Sequence, residues 1–144
     1  MKYTIRGTTL QVVDMELIDG ETIFTESGGM AWMSANINMQ TNMSGGIKRA
    51  FGRLFGGESM FMTNYTSSGN GIITFASEFP GKIVPFDLKQ GETIICQKDS
   101  FMAAEKSVDL KVQFRKKLGA GFFGGEGFIM QKLTGPGKAF LEIA

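Results

Sequence analysis

Histidine is absent from this 144-residue sequence, which contains a single cysteine, Cys96, and only three prolines. Histidine is the side chain most often used for proton transfer near neutral pH and is the commonest metal ligand. Its absence therefore argues against most enzyme classes and against histidine-dependent metal sites. A lone cysteine excludes a disulfide within the chain, and the absence of histidine excludes a Cys–His catalytic pair.

Long apolar runs and strong charge are missing as well. No stretch of about 18 consecutive apolar residues occurs, so no transmembrane helix is predicted. Residues 1–7 lack the apolar run of a secretory signal, and the single thiol fits a reducing compartment, so we expect a cytoplasmic location. The net charge of +1 disfavours nucleic-acid binding, because proteins that bind nucleic acids usually carry a pronounced basic excess.

The sequence contains an internal repeat. Residues 16–23 match 87–94, and residues 55–62 match 123–130. Residues 66–76 then align with 134–144, which pairs Gly69 with Gly137 and Ala76 with Ala144. Three matches in the same order predict a first repeat over 1–79 and a second over 80–144.

Each repeat has the pattern of short strands separated by glycine turns. The chain has 20 glycines, and β-branched, apolar segments such as 22–25 and 93–96 each follow one of them. Residues 108–114 alternate between apolar and polar side chains, as a half-buried strand does. We predict an all-β fold in which two similar β-roll or sandwich repeats pack together.

A set of short motifs gives the chain a family resemblance. The motifs are Gly-Gly-Met-Ala-Trp-Met at 28–33, Phe-Gly-Gly-Glu-Ser-Met-Phe at 55–61, Pro-Gly-Lys-Ile at 80–83, Phe-Met-Ala-Ala at 101–104, Gly-Gly-Glu-Gly at 124–127 and Leu-Thr-Gly-Pro-Gly at 133–137. Together they resemble the "altered inheritance of mitochondria 24" family. The resemblance implies a fold like that of the tryptophan-RNA-binding attenuation protein, a short double-stranded β-helix, and a homo-oligomer. It also implies that a third repeat, usual in the family, is absent here, and it supplies no catalytic residues.

Two basic segments followed by aromatic residues are the candidate contact surface. Both repeats place basic residues before large apolar residues and a Gly-Gly pair, a chemistry suited to an anionic membrane surface or to single-stranded nucleic acid. Solvated basic turns leading into core strands would give the same pattern. The candidate surface contacts are Lys48, Arg49, Phe51, Arg53, Phe55, Arg115, Lys116, Lys117, Phe122 and Phe123.

Other candidate residues have a structural interpretation that we prefer. Glu21 and Glu92 follow the same turn glycine in each repeat, and Glu58 and Glu126 follow the same Gly-Gly pair, so these carboxylates could bind a cation or could cap backbone amides. We expect the structural role, and we expect Cys96 to be a buried, inert thiol.

Trp32 aligns with Ala103, so the repeat does not require a tryptophan there, and an interface would explain it.

These observations predict a non-enzymatic β-repeat protein that self-assembles and acts in interaction or scaffolding. We expect no catalytic residue, no cofactor and no bound metal. The expected partners are further copies of the chain and either an anionic membrane surface or another protein. Two alternatives stay open, namely a nucleic-acid-binding ring and a β-roll that binds a small ligand or cation.

Overall fold

The computed structural model describes residues 1–26, 28–43, 61–116 and 128–144, which form thirteen strands and one short 3-10 helix. The all-β prediction is confirmed, whereas the likeness to the attenuation protein stays a prediction. The strands are β1 (Lys2–Arg6), β2 (Val12–Leu17), β3 (Thr22–Thr25), β4 (Met30–Met33), β5 (Ile37–Met43), β6 (Phe61–Ser67), β7 (Gly71–Ala76), β8 (Lys82–Leu88), β9 (Thr93–Gln97), β10 (Phe101–Glu105), β11 (Asp109–Lys116), β12 (Phe128–Thr134) and β13 (Gly137–Ile143), and the 3-10 helix is Lys98–Ser100.

Three antiparallel sheets contain all of these strands. Sheet A has the order β1-β2-β7-β4, sheet B the order β5-β6-β3-β10-β13-β8, and sheet C the order β11-β12-β9. The predicted boundary between repeats falls in the loop between β7 and β8.

The strand order repeats once along the chain. We call β2 to β7 copy one and β8 to β13 copy two, each with six strand positions. In both copies, positions one, six and three form one half-sheet, and positions four, five and two form another. Even the bulges in the third strands coincide, between Met30 and Trp32 in β4 and between Phe101 and Ala103 in β10.

The register of the sixth strands corrects the sequence alignment of the repeat. Leu17 pairs with Gly71, and its equivalent Leu88 pairs with Gly137, so Gly137 corresponds to Gly71. The alignments of Gly69 with Gly137 and of Ala76 with Ala144 are therefore wrong by two residues. The reason is the preceding turn, in which residues 67–70 separate Thr66 from Gly71 but only residues 135–136 separate Thr134 from its glycine.

Sheet B is the middle layer, with a core on each face. Successive side chains of a strand point to opposite faces, so Ile23 of β3 belongs to the core shared with sheet A, while Phe24 belongs to the core shared with sheet C. Phe140 of copy two lies in the first core, where its ring meets that of Tyr3 edge-on at 5.1 Å. The two copies therefore share their cores.

One strand pairing joins the copies within the described residues, and we call it the joint. Phe24 of β3 lies opposite Ala104 of β10, and Ile23 lies opposite Glu105. The bulge leaves Met102 out of the ladder, and the buried hydroxyl of Thr25 donates a hydrogen bond of 2.7 Å to its carbonyl. The second strand of one copy thus pairs with the third strand of the next.

Candidate functional site

Two sheet edges correspond to the strands of the joint but lack its partner. β9 is the second strand of copy two, and within the described residues it pairs only with β12. β4 is the third strand of copy one, and in the same part of the chain it pairs only with β7. An edge strand presents unpaired N–H and C=O groups that can pair with another chain. We call β4 and β9 the open edges.

The β9 edge exposes an apolar residue whose equivalent is buried. Ile95 occupies the place in copy two that Phe24 occupies in copy one, as their pairing with Lys132 and Asn64 shows. Phe24 is 7% exposed because it lies at the joint, whereas Ile95 is 51% exposed. In copy one this position is covered because β3 pairs with β10, the third strand of copy two.

The β4 edge shows the same contrast, but here the exposed residue belongs to copy one and its buried equivalent to copy two. Trp32 pairs with Thr74 as Ala103 pairs with Phe140, so the two residues are equivalent. Ala103 is completely buried beside the joint, and Trp32 is 47% exposed. A large exposed aromatic residue at an unpaired sheet edge is typical of an interface anchor. If Trp32 is an interface residue, as we hypothesised, the interface lies at the β4 edge.

A cleft of about 310 Å³ lies where the copies meet. Glu26 and Glu78 line it from copy one, and Lys98, Asp99 and Glu142 line it from copy two. Burial raises the pKa of Glu142, whose Oε1 accepts a 2.8 Å hydrogen bond from the backbone N–H of Glu78. Across the described ranges, no three Asp, Glu or Cys side chains are grouped closely enough to hold a metal ion. The cleft thus contains carboxylates without the arrangement of a metal centre.

Most of the predicted surface contacts lie outside the described residues. This holds for Lys48, Arg49, Phe51, Arg53, Phe55, Lys117, Phe122 and Phe123. Arg115 and Lys116 belong to the end of β11. The two basic segments connect β5 to β6 and β11 to β12, which are equivalent strand pairs of the two copies.

The turn glutamates have the structural role that we expected. Glu21 Oε1 accepts a 2.8 Å hydrogen bond from the N–H of Ile18, and Glu92 Oε1 accepts one of 3.0 Å from the N–H of Lys89. Each carboxylate therefore closes its own turn. The other repeated pair, Glu58 and Glu126, lies outside the described residues.

Cys96 is a buried thiol, as expected. Burial, and secondarily the charge of Glu26, raises the pKa of Cys96 to about 11, so the nucleophilic thiolate is scarce at neutral pH. Cys96 is equivalent to Thr25, the residue that bonds across the joint. Its position in β9, one of the open edges, was not evident from the sequence.

No helix in the described part of the chain is long and apolar enough to cross a membrane.

Comparison with known proteins identifies the family. The family model described as "Mitochondrial biogenesis AIM24" matches residues 3–144. The chain belongs to the AIM24 family. The resemblance predicted from the motifs is thereby confirmed.

Two streptococcal proteins of similar sequence or structure are longer than this chain. An uncharacterised protein of Streptococcus pyogenes serotype M6 is 31% identical over 140 residues, which cover 90% of this chain and 56% of the relative. A crystal structure of another Streptococcus pyogenes protein, 26% identical, superposes with a TM-score of 0.73 and covers 98% of this chain and 63% of its own. The chain thus spans less than two thirds of the length of either relative.

Sequence reasoning missed β9 as part of the site. Ile94 and Ile95 are adjacent apolar residues in a strand, a pattern typical of strands buried on both faces. The pattern matches Ile23 and Phe24 in copy one, where both faces are indeed covered. That match indicated a buried strand, and only the pairing shows that β9 lies at an edge.

Proposed function

We propose that this chain is a non-enzymatic interaction protein that self-assembles through its open edges. The contrast between buried joint residues and their exposed equivalents carries the proposal. Covering Ile95 and Trp32 as Phe24 and Ala103 are covered removes apolar surface from water. Full burial of a large aliphatic side chain contributes about 1.5–3 kcal/mol, and the remaining half of Ile95 contributes about half of that. Backbone hydrogen bonds between edge strands would also fix the relative orientation of the associating chains.

The composition of the sheet edges supports this choice of surface. Proteins usually protect edge strands with charged residues or proline. β1 carries Lys2 and Arg6, β8 carries Lys82, Pro85 and Asp87, and β11 carries several charges. The segments Met-Ala-Trp-Met of β4 and Thr-Ile-Ile-Cys-Gln of β9 contain no charge and no proline. The edge strand β5, Ile-Asn-Met-Gln-Thr-Asn-Met, also has no charge and no proline. Composition therefore leaves three unprotected edges among the described strands, and of these only β4 and β9 correspond to the strands of the joint.

The non-enzymatic part of the proposal rests on composition. The chain has no histidine, and its one thiol is buried with a raised pKa, so two common sources of catalytic groups are missing. A single thiol also suits a reducing compartment, and a cytoplasmic location is part of the same proposal.

The solution mass of the chain, measured by light scattering on a size-exclusion column over a range of concentrations, tests self-assembly. We expect an oligomer, and we expect Ile95→Lys or Trp32→Lys to weaken association by at least about tenfold, which corresponds to 1.4 kcal/mol. Ile143→Lys is the matched control, since Ile143 is 44% exposed but lies in β13, away from the open edges. A natural chain that stays monomeric at every concentration would contradict the proposal.

Membrane-surface contact is a second candidate, favoured by the equivalent placement of the two basic segments between the fourth and fifth strands of each copy. Cations and aromatic side chains together suit an anionic surface. We expect co-sedimentation with anionic vesicles that weakens with salt and is lost when Phe51, Phe55, Phe122 and Phe123 are changed to Ser. Binding that is absent, or indifferent to salt, would exclude this role.

A further inference from the structure

We propose that the cleft between the two copies binds a small aliphatic ammonium ion, and that carboxylates from both copies and the amide oxygen of Gln131 accept its hydrogen bonds. This site is separate from the open edges and does not depend on the proposed self-assembly. It gives a ligand class and a location to one of the alternatives that the sequence leaves open, a protein that binds a small ligand or cation.

The charge of the cleft favours a cation. Among the described residues that line it, four carry a carboxylate and one carries an ammonium group, which gives a net charge of −3 when all are ionised. The carboxylates of Glu26 and Glu78 come from copy one, those of Asp99 and Glu142 come from copy two, and the ammonium group belongs to Lys98. A cleft lined mainly by charges of one sign concentrates ions of the other sign.

Glu142 is a buried carboxylate that the repeat itself does not require. It is 6% exposed, and burial of a carboxylate is costly unless a partner stabilises it. In the corrected alignment Glu142 corresponds to Ala76, so copy one forms the same strand with a methyl group at this position. Burial raises the pKa of Glu142, and the charge of Glu78 adds to the rise. A cation bound in the cleft would stabilise the ionised form.

Gln131 supplies a second, independent indication of a ligand. Its side chain is completely buried, and its Nε2 donates a 2.8 Å hydrogen bond to Oε1 of Glu26, a residue that lines the cleft. An ionised carboxylate only accepts hydrogen bonds, so this contact fixes the amide with its nitrogen toward Glu26. Oε1 of the same amide has no hydrogen-bond partner. Buried polar groups are normally hydrogen-bonded, so an amide oxygen held beside Glu26 calls for a donor.

An alkylammonium group fits these acceptors better than a metal ion does. It carries three N–H donors and no acceptor, whereas the described carboxylates are not grouped as metal ligands. The cleft volume of about 310 Å³ is near the lower end of the range of small-molecule sites and is far larger than a single ion requires. Phe79, Phe101 and Met102 also line the cleft, where they can contact an alkyl chain, and an aromatic face also attracts a cation.

Calorimetric titration of the whole chain with diaminobutane tests the proposal, and butanediol serves as an uncharged ligand of similar length. We expect saturable binding of one diamine per chain and no binding of the diol. Glu142→Gln removes the buried charge at nearly the same shape, and Gln131→Leu removes the acceptor without a partner. Each should weaken binding by at least about tenfold, the loss expected for one hydrogen bond to a charged group. Glu142→Gln should fold, since burial disfavours the charge that it removes, so the test stays decisive even if Gln131→Leu does not fold.

Glu16→Gln is the matched control, because Glu16 is an exposed carboxylate of β2 that does not line the cleft, and it should leave the affinity unchanged. Three results would each overturn the proposal. They are the absence of saturable binding at millimolar diamine, equal binding of the diol, and a loss of affinity in Glu16→Gln as large as that in Glu142→Gln.

The pH dependence gives a further readout. Binding should weaken as the pH falls, because protonation neutralises the carboxylates of Glu26, Glu78, Asp99 and Glu142 while Lys98 keeps its positive charge. An affinity that stays constant or rises in acid, in a chain that circular dichroism shows to be folded, would contradict binding by these carboxylates.

Discussion

Replacing Thr25 by valine should destabilise the protein through one hydrogen bond at the joint. Thr25 is 1% exposed and Met102 is 4% exposed, so water cannot replace the lost donor. The bulge leaves Met102 outside the ladder, and the hydroxyl of Thr25 satisfies its carbonyl at 2.7 Å. Valine has nearly the same shape as threonine, so the change removes the donor while it largely preserves the packing.

The expected loss follows from the cost of a buried acceptor without a partner, about 1–3 kcal/mol. A chain of 144 residues unfolds with an entropy of roughly 0.3 kcal/mol/K, which converts that loss to a fall in Tm of about 3 to 10 °C. Urea unfolding followed by circular dichroism gives the free energy, and calorimetry gives the Tm.

Two further variants separate the hydrogen bond from other effects. Thr25→Ser keeps the hydroxyl and should lose less stability than the valine variant. Thr41→Val removes a hydroxyl from the exposed pair of Thr41 and Thr63, which lie 3.1 Å apart, and should change the free energy of unfolding by no more than about 0.5 kcal/mol. If Thr25→Val costs no more than Thr41→Val, the hydrogen bond does not stabilise the joint and the reasoning is wrong.

Three other predictions concern single side chains. Burial raises the pKa of Glu142, so the folded state favours its protonated form, and Glu142→Gln should be more stable than the natural chain at neutral pH. That advantage should vanish in acid unfolding curves below the ordinary pKa of a glutamate, and an advantage that does not change with pH would refute the assignment. Glu92→Ala should cost about 0.5–1.5 kcal/mol in urea because the N–H of Lys89 loses its acceptor, while Glu92→Gln keeps one, and equal losses in both would contradict the turn-closing role. Cys96, with a pKa of about 11, should react slowly with a disulfide reagent at pH 8 in the folded chain and rapidly in guanidinium, and fast reaction in the folded chain would show that the thiol is accessible.

The repeat and its strands could be predicted from sequence because their signals are local. Glycine turns and apolar alternation act over a few residues, and the structure has strands at the predicted segments 22–25 and 93–96 and over 109–114 of the predicted segment 108–114. The turn role of Glu21 was also predictable, since its acceptor serves an N–H only three residues away.

The alignment of the sixth strands was wrong because identical glycines are weak evidence of structural equivalence. Gly69 and Gly137 looked equivalent in sequence, yet Gly69 lies in the turn while Gly137 begins β13. Pairing with the first strand decides the register, and that pairing joins residues more than 45 positions apart. The two-residue difference in length between the turns before β7 and β13 cannot be detected from the sequence unless the strand pairing is known.

The sequence by itself determined the all-β class, the two copies, the family and the buried state of its single thiol. Only the tertiary structure decided which equivalent residues are covered. Phe24 and Ile95 lie in similar strands, but one is 7% and the other 51% exposed because β10 pairs with only one of them. Burial at a sheet edge depends on the neighbouring strand, which comes from a distant part of the chain or from another molecule, and a local sequence pattern carries no record of that neighbour.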